Sequence, residues 1–250
     1  MPLPRPAGDP MDDRRPTGTD GIDLVLPFRG LWLVQNSPAR RDPSHGSTLF
    51  GERYAIDFVG VDDGRRTARM RDWRTLFSTE PLDRFHGFGR PILAPGSGIV
   101  AAVHAGEPDH EARRSKLALV PYALGQRARV AQGIGAIAGN YVIIALHGSD
   151  AFVALVHLRA GSIRVREGQD VAEGDWIARC GNSGNSTQPH LHMQAMDRLD
   201  LSVAQGLPIT FRRFHEWPRG AQESVVRHRA VPGEGSIVGR VPTARIPIDT

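Results

Sequence analysis

Residues 139–158 read GNYVIIALHGSDAFVALVHL, and residues 176–196 read WIARCGNSGNSTQPHLHMQAM. In the first stretch, two runs rich in β-branched and aliphatic residues are split by Gly148-Ser149-Asp150, residue types that close turns. The spacing predicts a strand, a turn and a second strand. SIRV, WIARC and HLHMQAM follow as further strands with glycine turns between most of them. The flanking chain has the same texture. Ile22–Asn36, IDLVLPFRGLWLVQN, predicts one or two strands. RYAIDFVGVD alternates, with Tyr54, Ile56 and Phe58 on one face and Arg53, Ala55, Asp57 and Val59 on the other. RPILAPGSGIVAAV predicts strand, Pro-Gly turn, strand, and ITFRRF predicts a late strand. The sum is a mainly β, antiparallel domain over residues 22–215.

The length of 250 residues accommodates one domain with extensions. Residues 1–21, rich in Pro, Asp and Arg, read as a disordered extension, and 216–250 as a Pro/Gly-rich tail. Within the core at 50–200, residues 62–90 and 105–138 break the β pattern and read as insertions. Hydrophobic residues at 40% against 23% charged exclude a chain disordered throughout. The net charge is +4, and Lys116 is the only lysine, so the basicity is arginine. Arginine suits anionic polymers, but a nucleic-acid partner rests on net charge alone and is not expected. Cys180 is the only cysteine, which excludes an internal disulfide and a cysteine-rich zinc site. No apolar run marks a secretory signal or a membrane span, so the sequence by itself implies the cytoplasm.

The chemistry concentrates at Pro189-His190-Leu191-His192. In a strand, residues i and i+2 share a face, so both imidazoles reach one place while Leu191 turns to a core. Such a pair serves as metal ligands, or as one ligand and one acid–base group; two unrelated surface histidines are the plainer reading. Asp57, among apolar residues, needs a metal or an ion-pair partner such as Arg53. His157, ending the strand AFVALVHL, reads either as a satisfied core histidine or as a general base.

Together these segments resemble the lysostaphin-type (LytM-like) M23 family of zinc metallopeptidases. That family shows a Gly-Asn strand, a strand ending in His-Leu, a series of V-x-x-G turns, a G-N-S-G loop and P-H-L-H. All occur here in order between Gly139 and Met196. RYAIDF and PILAPGSGIVAAV are similar to the family's first ligand strand and its A-P-x-x-G-x-V hairpin. The resemblance spans about residues 50–200. It implies a barrel-like antiparallel β fold with loop insertions and a zinc-dependent endopeptidase acting on peptidoglycan cross-bridges, in the cell envelope. It implies Asp57 and His192 as zinc ligands and His157 and His190 as the pair flanking the attacking water. It also implies Asn140 and Asn185 as supporting residues, with small residues of the 181–184 loop admitting a peptide backbone.

The family's pattern H-x-x-x-D has its histidine where this chain has Arg53. A guanidinium has no lone pair to give. Either another histidine completes the site, with His45 the first candidate and His86 the second, or Arg53 neutralises Asp57 in a degenerate, metal-free binding or regulatory module. The V-x-x-G-D turns also resemble biotinyl and lipoyl carrier domains, whose exposed hairpin lysine is matched by nothing but Lys116 in the insertion.

Overall fold

A computed structural model describes residues 21–115 and 134–241. The expected N-terminal extension up to residue 20, most of the 105–138 insertion including Lys116, and the last residues of the tail lie outside the described residues. The fold is mainly β. The strands are β1 (Ile22–Leu24), β2 (Trp32–Gln35), β3 (Ile56–Gly60), β4 (Pro91–Leu93), β5 (Gly98–His104), β6 (Asn140–Leu146) and β7 (Phe152–Leu158). They continue as β8 (Asp170–Val171), β9 (Trp176–Arg179), β10 (Leu191–Met196), β11 (Gly206–Leu207), β12 (Ile209–Trp217), β13 (Val225–Ala230) and β14 (Ile237–Arg240). One large sheet has the order β1-β12-β14-β2-β3-β10-β7-β6-β5-β8, with β11 on β10 and β13 on β12; β4 and β9 pair separately. The pairings are antiparallel apart from β1 on β12.

Alternation gives the sheet two different faces. Val34, Ile56, Phe58, Val153, Leu155, Leu191 and Met193 point into the main core, where Phe28 stacks on Trp32 at 4.5 Å between ring centroids. The residues between them point the other way. Ile143, Ala154, Val156 and Met196 form a second apolar cluster with Leu201 and Ala204 from the loop after β10. Asp57, His192 and Gln194 alternate with core residues on β3 and β10, and line the cleft over that same cluster.

Three sequence expectations differ from the structure. The strand expected from Arg53 begins only at Ile56, because Leu49–Tyr54 is a 3₁₀ segment broken at Phe50 and Gly51, both at positive φ. SIRV forms no strand. Most consequentially, the 216–250 tail contributes β13 and β14, and β14 hydrogen-bonds to both β12 and β2 inside the main sheet. Its Ile237 and Val238 are buried, so the segment is core, despite its Pro/Gly-rich surroundings. The 62–90 insertion is largely irregular but carries a short helix, α1 (Trp73–Phe77); a second, α2 (Ile134–Ala138), leads into β6.

Candidate metal centre and cleft

Asp57 and His192 lie directly opposite each other on β3 and β10. His192 Nδ1 is 3.0 Å from Asp57 Oδ1. On the other carboxylate oxygen, His45 Nε2 lies at 3.2 Å and Asn36 Nδ2 donates at 2.7 Å. His45, Asp57 and His192 each offer one ligand atom, all within 4.8 Å of one another. His45 arrives because its loop is hydrogen-bonded to the 3₁₀ segment. Ser44 N donates to Arg53 O at 2.9 Å, Ser44 Oγ to Glu52 O at 3.3 Å, and Gly46 N closes the turn on Pro43 O.

Arg53 does not approach Asp57. Its guanidinium makes a two-pronged pair with Asp42, at 2.9 and 3.0 Å, on the surface. The expected Arg53–Asp57 face-sharing fails because Arg53 belongs to the 3₁₀ turn, where the two-residue period of a strand does not apply. His86 is not part of the cluster either; it faces Asp62 at 3.5 Å.

His157 and His190 stand beside the cluster, their rings 4.7 Å apart. By alternation after Ala154 and Val156, His157 would point to the core. Its φ of 61° and the register shift between β6 and β7 turn it into the cleft. His157 Nδ1 is 2.9 Å from Ser183 O, and His190 Nδ1 is 2.8 Å from Gln188 O. A carbonyl only accepts, so each Nδ1 carries the proton and each Nε2 keeps a free lone pair. His192 is oriented the opposite way. Gln194 Nε2 donates to Phe50 O at 2.6 Å, which fixes the amide, so Gln194 Oε1 accepts from His192 Nε2 at 3.0 Å and leaves Nδ1 facing Asp57.

The electrostatics divide the histidines. Burial would raise the Asp57 carboxyl, but the facing His190 ring and hydrogen bonds from His192 and His45 hold it well below the usual carboxylate range. Burial disfavours a charged His192, yet its bond to Asp57 raises it to about 9. Burial pushes His157 well below its ordinary value, reinforced by the neighbouring histidines, and lowers His190 in spite of Asp57. Two imidazoles and a carboxylate converge, Asp57 and His192 buried and His45 partly buried, a donor set of the kind that holds a divalent metal with a position left open. The residues therefore fit a divalent metal.

The cluster opens into a cleft of ≈ 390 Å³ whose walls include Ile137, Ala138, Tyr141, Asn185, Thr187 and Leu201. Asn185 thus lies on the cleft, its N–H bonded to Ile137 O. Asn140 does not line it. Its side chain bonds Leu158 O and the backbone of Glu107, tying the end of β7 to the insertion. The small residues of the 181–184 loop serve packing. A Cβ on Gly184, at φ +69°, would meet Gly139 N at 2.3 Å, and one on Gly181 would meet the Arg159 backbone at 2.4 Å. Sequence reasoning missed Asn36 and Gln194. Gln194 was findable, two residues beyond His192 on the same face; Asn36, at φ 50°, offered no such signal.

A β sheet holding a His-Asp-His cluster that lines a cleft defines a candidate metallohydrolase. Residues 82–203 match the model of Peptidase family M23, so the chain contains a domain of that peptidase family. His45 and Asp57 lie N-terminal to the matched stretch. The chain is 32% identical over 126 residues to Peptidoglycan DD-endopeptidase ShyA of Vibrio cholerae, covering 50% of this chain and 25% of that protein. It is 32% identical over 181 residues to an uncharacterized metalloprotease of Haemophilus influenzae, covering 71% of this chain and 32% of that one. The matched stretches thus span a quarter to a third of these relatives. Among solved structures, the catalytic domain of lysostaphin from Staphylococcus simulans is similar at 19% identity, covering 63% of this chain and 78% of that one, with a TM-score of 0.35.

Proposed function

We propose that the chain is a zinc-dependent endopeptidase that hydrolyses peptide bonds in peptidoglycan cross-bridges, with His45, Asp57 and His192 holding the metal. The observation that carries this reading is the convergence of three ligand atoms within 4.8 Å, with His45 in the role the missing H-x-x-x-D histidine would have had. Zinc in such a site supplies a Lewis acid for the scissile carbonyl and a water acidified toward neutrality.

The chain's own residues supply the rest. His157 and His190 are held neutral by burial and present Nε2 lone pairs to the cleft, so either can take a proton from attacking water. Ser183 O and Gln188 O, by fixing each Nδ1–H, stabilise the imidazolium formed when Nε2 is protonated. That proton then passes to the leaving amine, and the companion imidazole donates to the tetrahedral oxyanion in the form whose Nε2 is protonated. Asn36 and Gln194 hold Asp57 and His192 in orientation. The metal-free module reading relied on Arg53 neutralising Asp57, and the pairing of Arg53 with Asp42 removes that support. An envelope location follows the substrate and is part of the same proposal.

The test offers glycyl and diaminopimelyl cross-linked peptides to His157→Ala, His190→Ala and His192→Ala proteins, with zinc measured on the same preparations. The first two should keep metal and lose turnover by about 10²–10⁴-fold, and the third should lose both. Loss of zinc from His157→Ala would make His157 a ligand and overturn the assignment.

A further inference from the structure

The short helix α1 in the 62–90 insertion is amphipathic in the inverted sense. Trp73, Leu76 and Phe77 fall at i, i+3 and i+4 on one face, yet they are 61, 63 and 64% exposed, and Met70 just before them is 51% exposed. The polar side faces inward. Asp72 caps the helix and pairs with Arg84 at 2.9 Å. Thr75 Oγ1 donates to Glu80, which is fully buried and gripped by Arg114 at 2.7 and 2.6 Å. Ser115 Oγ donates to Leu76 O. The helix is therefore fixed with its apolar face outward, a use of large side chains that stability does not require.

Around that face stand Arg69 and Arg71, both exposed, and Arg74, which stacks over the Trp73 ring at 5.5 Å. None has an ion-pair partner among the described residues; the nearby Asp62 and Asp72 are taken by Arg66 and Arg84. We propose that α1 and its flanking arginines form a docking surface for an anionic phospholipid bilayer. Tryptophan, methionine, leucine and phenylalanine enter the boundary between headgroups and acyl chains, while guanidinium groups bind the phosphates above them. A second copy of this chain fits less well, since a two-fold contact would set Arg69, Arg71 and Arg74 against the same arginines. No described helix is long and apolar enough to cross a membrane. The patch shares no residue with the cleft, and the proposal stands whether or not the chain is a peptidase.

The experiment sediments the full chain with vesicles of phosphatidylcholine alone or mixed with phosphatidylglycerol. Wild-type protein should bind the mixed vesicles, less so at high salt, and leave the neutral ones unbound. Two variants, Trp73→Ser with Phe77→Ser, and Arg69→Gln with Arg71→Gln and Arg74→Gln, should each weaken binding by about tenfold or more. Their circular dichroism should match wild type, since the altered groups are largely exposed. Absence of binding to anionic vesicles at low salt, or variants that bind like wild type, would overturn the proposal. So would a wild-type dimer that Trp73→Ser converts to monomer, which would assign the patch to a second copy.

Discussion

Arg53 contributes to the cleft through its backbone. Its carbonyl holds the loop that delivers His45, while its guanidinium turns to Asp42. On the proposed reading, the loop residue His45 takes the ligand role of the H-x-x-x-D histidine, next to Asp57 and His192. That reading puts weight on the residues that orient the proposed ligands. Gln194 is the clearest of them, bonded to His192 Nε2 on one side and Phe50 O on the other. Gln194→Leu removes the acceptor that leaves Nδ1 free for metal, and zinc affinity, measured by competition with a chelator, should fall about 10–100-fold. Unchanged affinity would mean that packing alone orients His192. His190, His192 and Asp57 were legible as chemistry because buried charge and same-face histidines are rare on a strand. The route taken by His45 was not, since it depends on long-range hydrogen bonds from Ser44 to Glu52 and Arg53.

Among the elements, the G-N-S-G loop and the start of β6 are one packing unit. Gly139 and Gly184 meet backbone to backbone, and Ser183 Oγ bonds both Asn140 N and Leu158 O. The same loop offers the Ser183 carbonyl that fixes His157. Gly184→Ala meets a positive φ and a 2.3 Å contact at once. It should cost about 1–3 kcal/mol, read as a lowered melting temperature, and reduce turnover by shifting Ser183. A melting curve like that of wild type would show that the loop has room to relax. The strands β6, β7 and β10 were readable because apolar period and turn residues agree there. The bulge at His157 was not, because alternation alone sends that side chain to the core. The 3₁₀ segment was missed for a related reason: RYAID satisfies a strand's alternation, and what excludes the strand is the positive φ at Phe50 and Gly51 just upstream.

At the scale of the whole molecule, the C-terminal segment closes the sheet. β14 is the strand between β2 and β12, so the expected boundary at residue 215 would cut the sheet in two. Its Gly- and Pro-containing surroundings hid a strand of four residues, Ile237–Arg240, too short to show a period. Truncation after Val231 would expose the partners of Ile237 and Val238, each worth about 1.5–3 kcal/mol of burial, and would unpair the inner edges of β2 and β12. The shortened chain should melt many degrees lower or aggregate through those edges. A truncated protein that melts like the full chain would show that β14 is not needed to hold the sheet together.

Zinc content of the purified chain, set against four single substitutions, tests the central claim that His45 replaces the missing family histidine. The account predicts about one zinc per chain in wild type and in Arg53→Ala, whose side chain lies outside the site. It predicts loss of that zinc in His45→Ala, Asp57→Ala and His192→Ala. A wild-type chain that takes up no zinc even when it is added back, or a His45→Ala protein that keeps its full zinc, would contradict it.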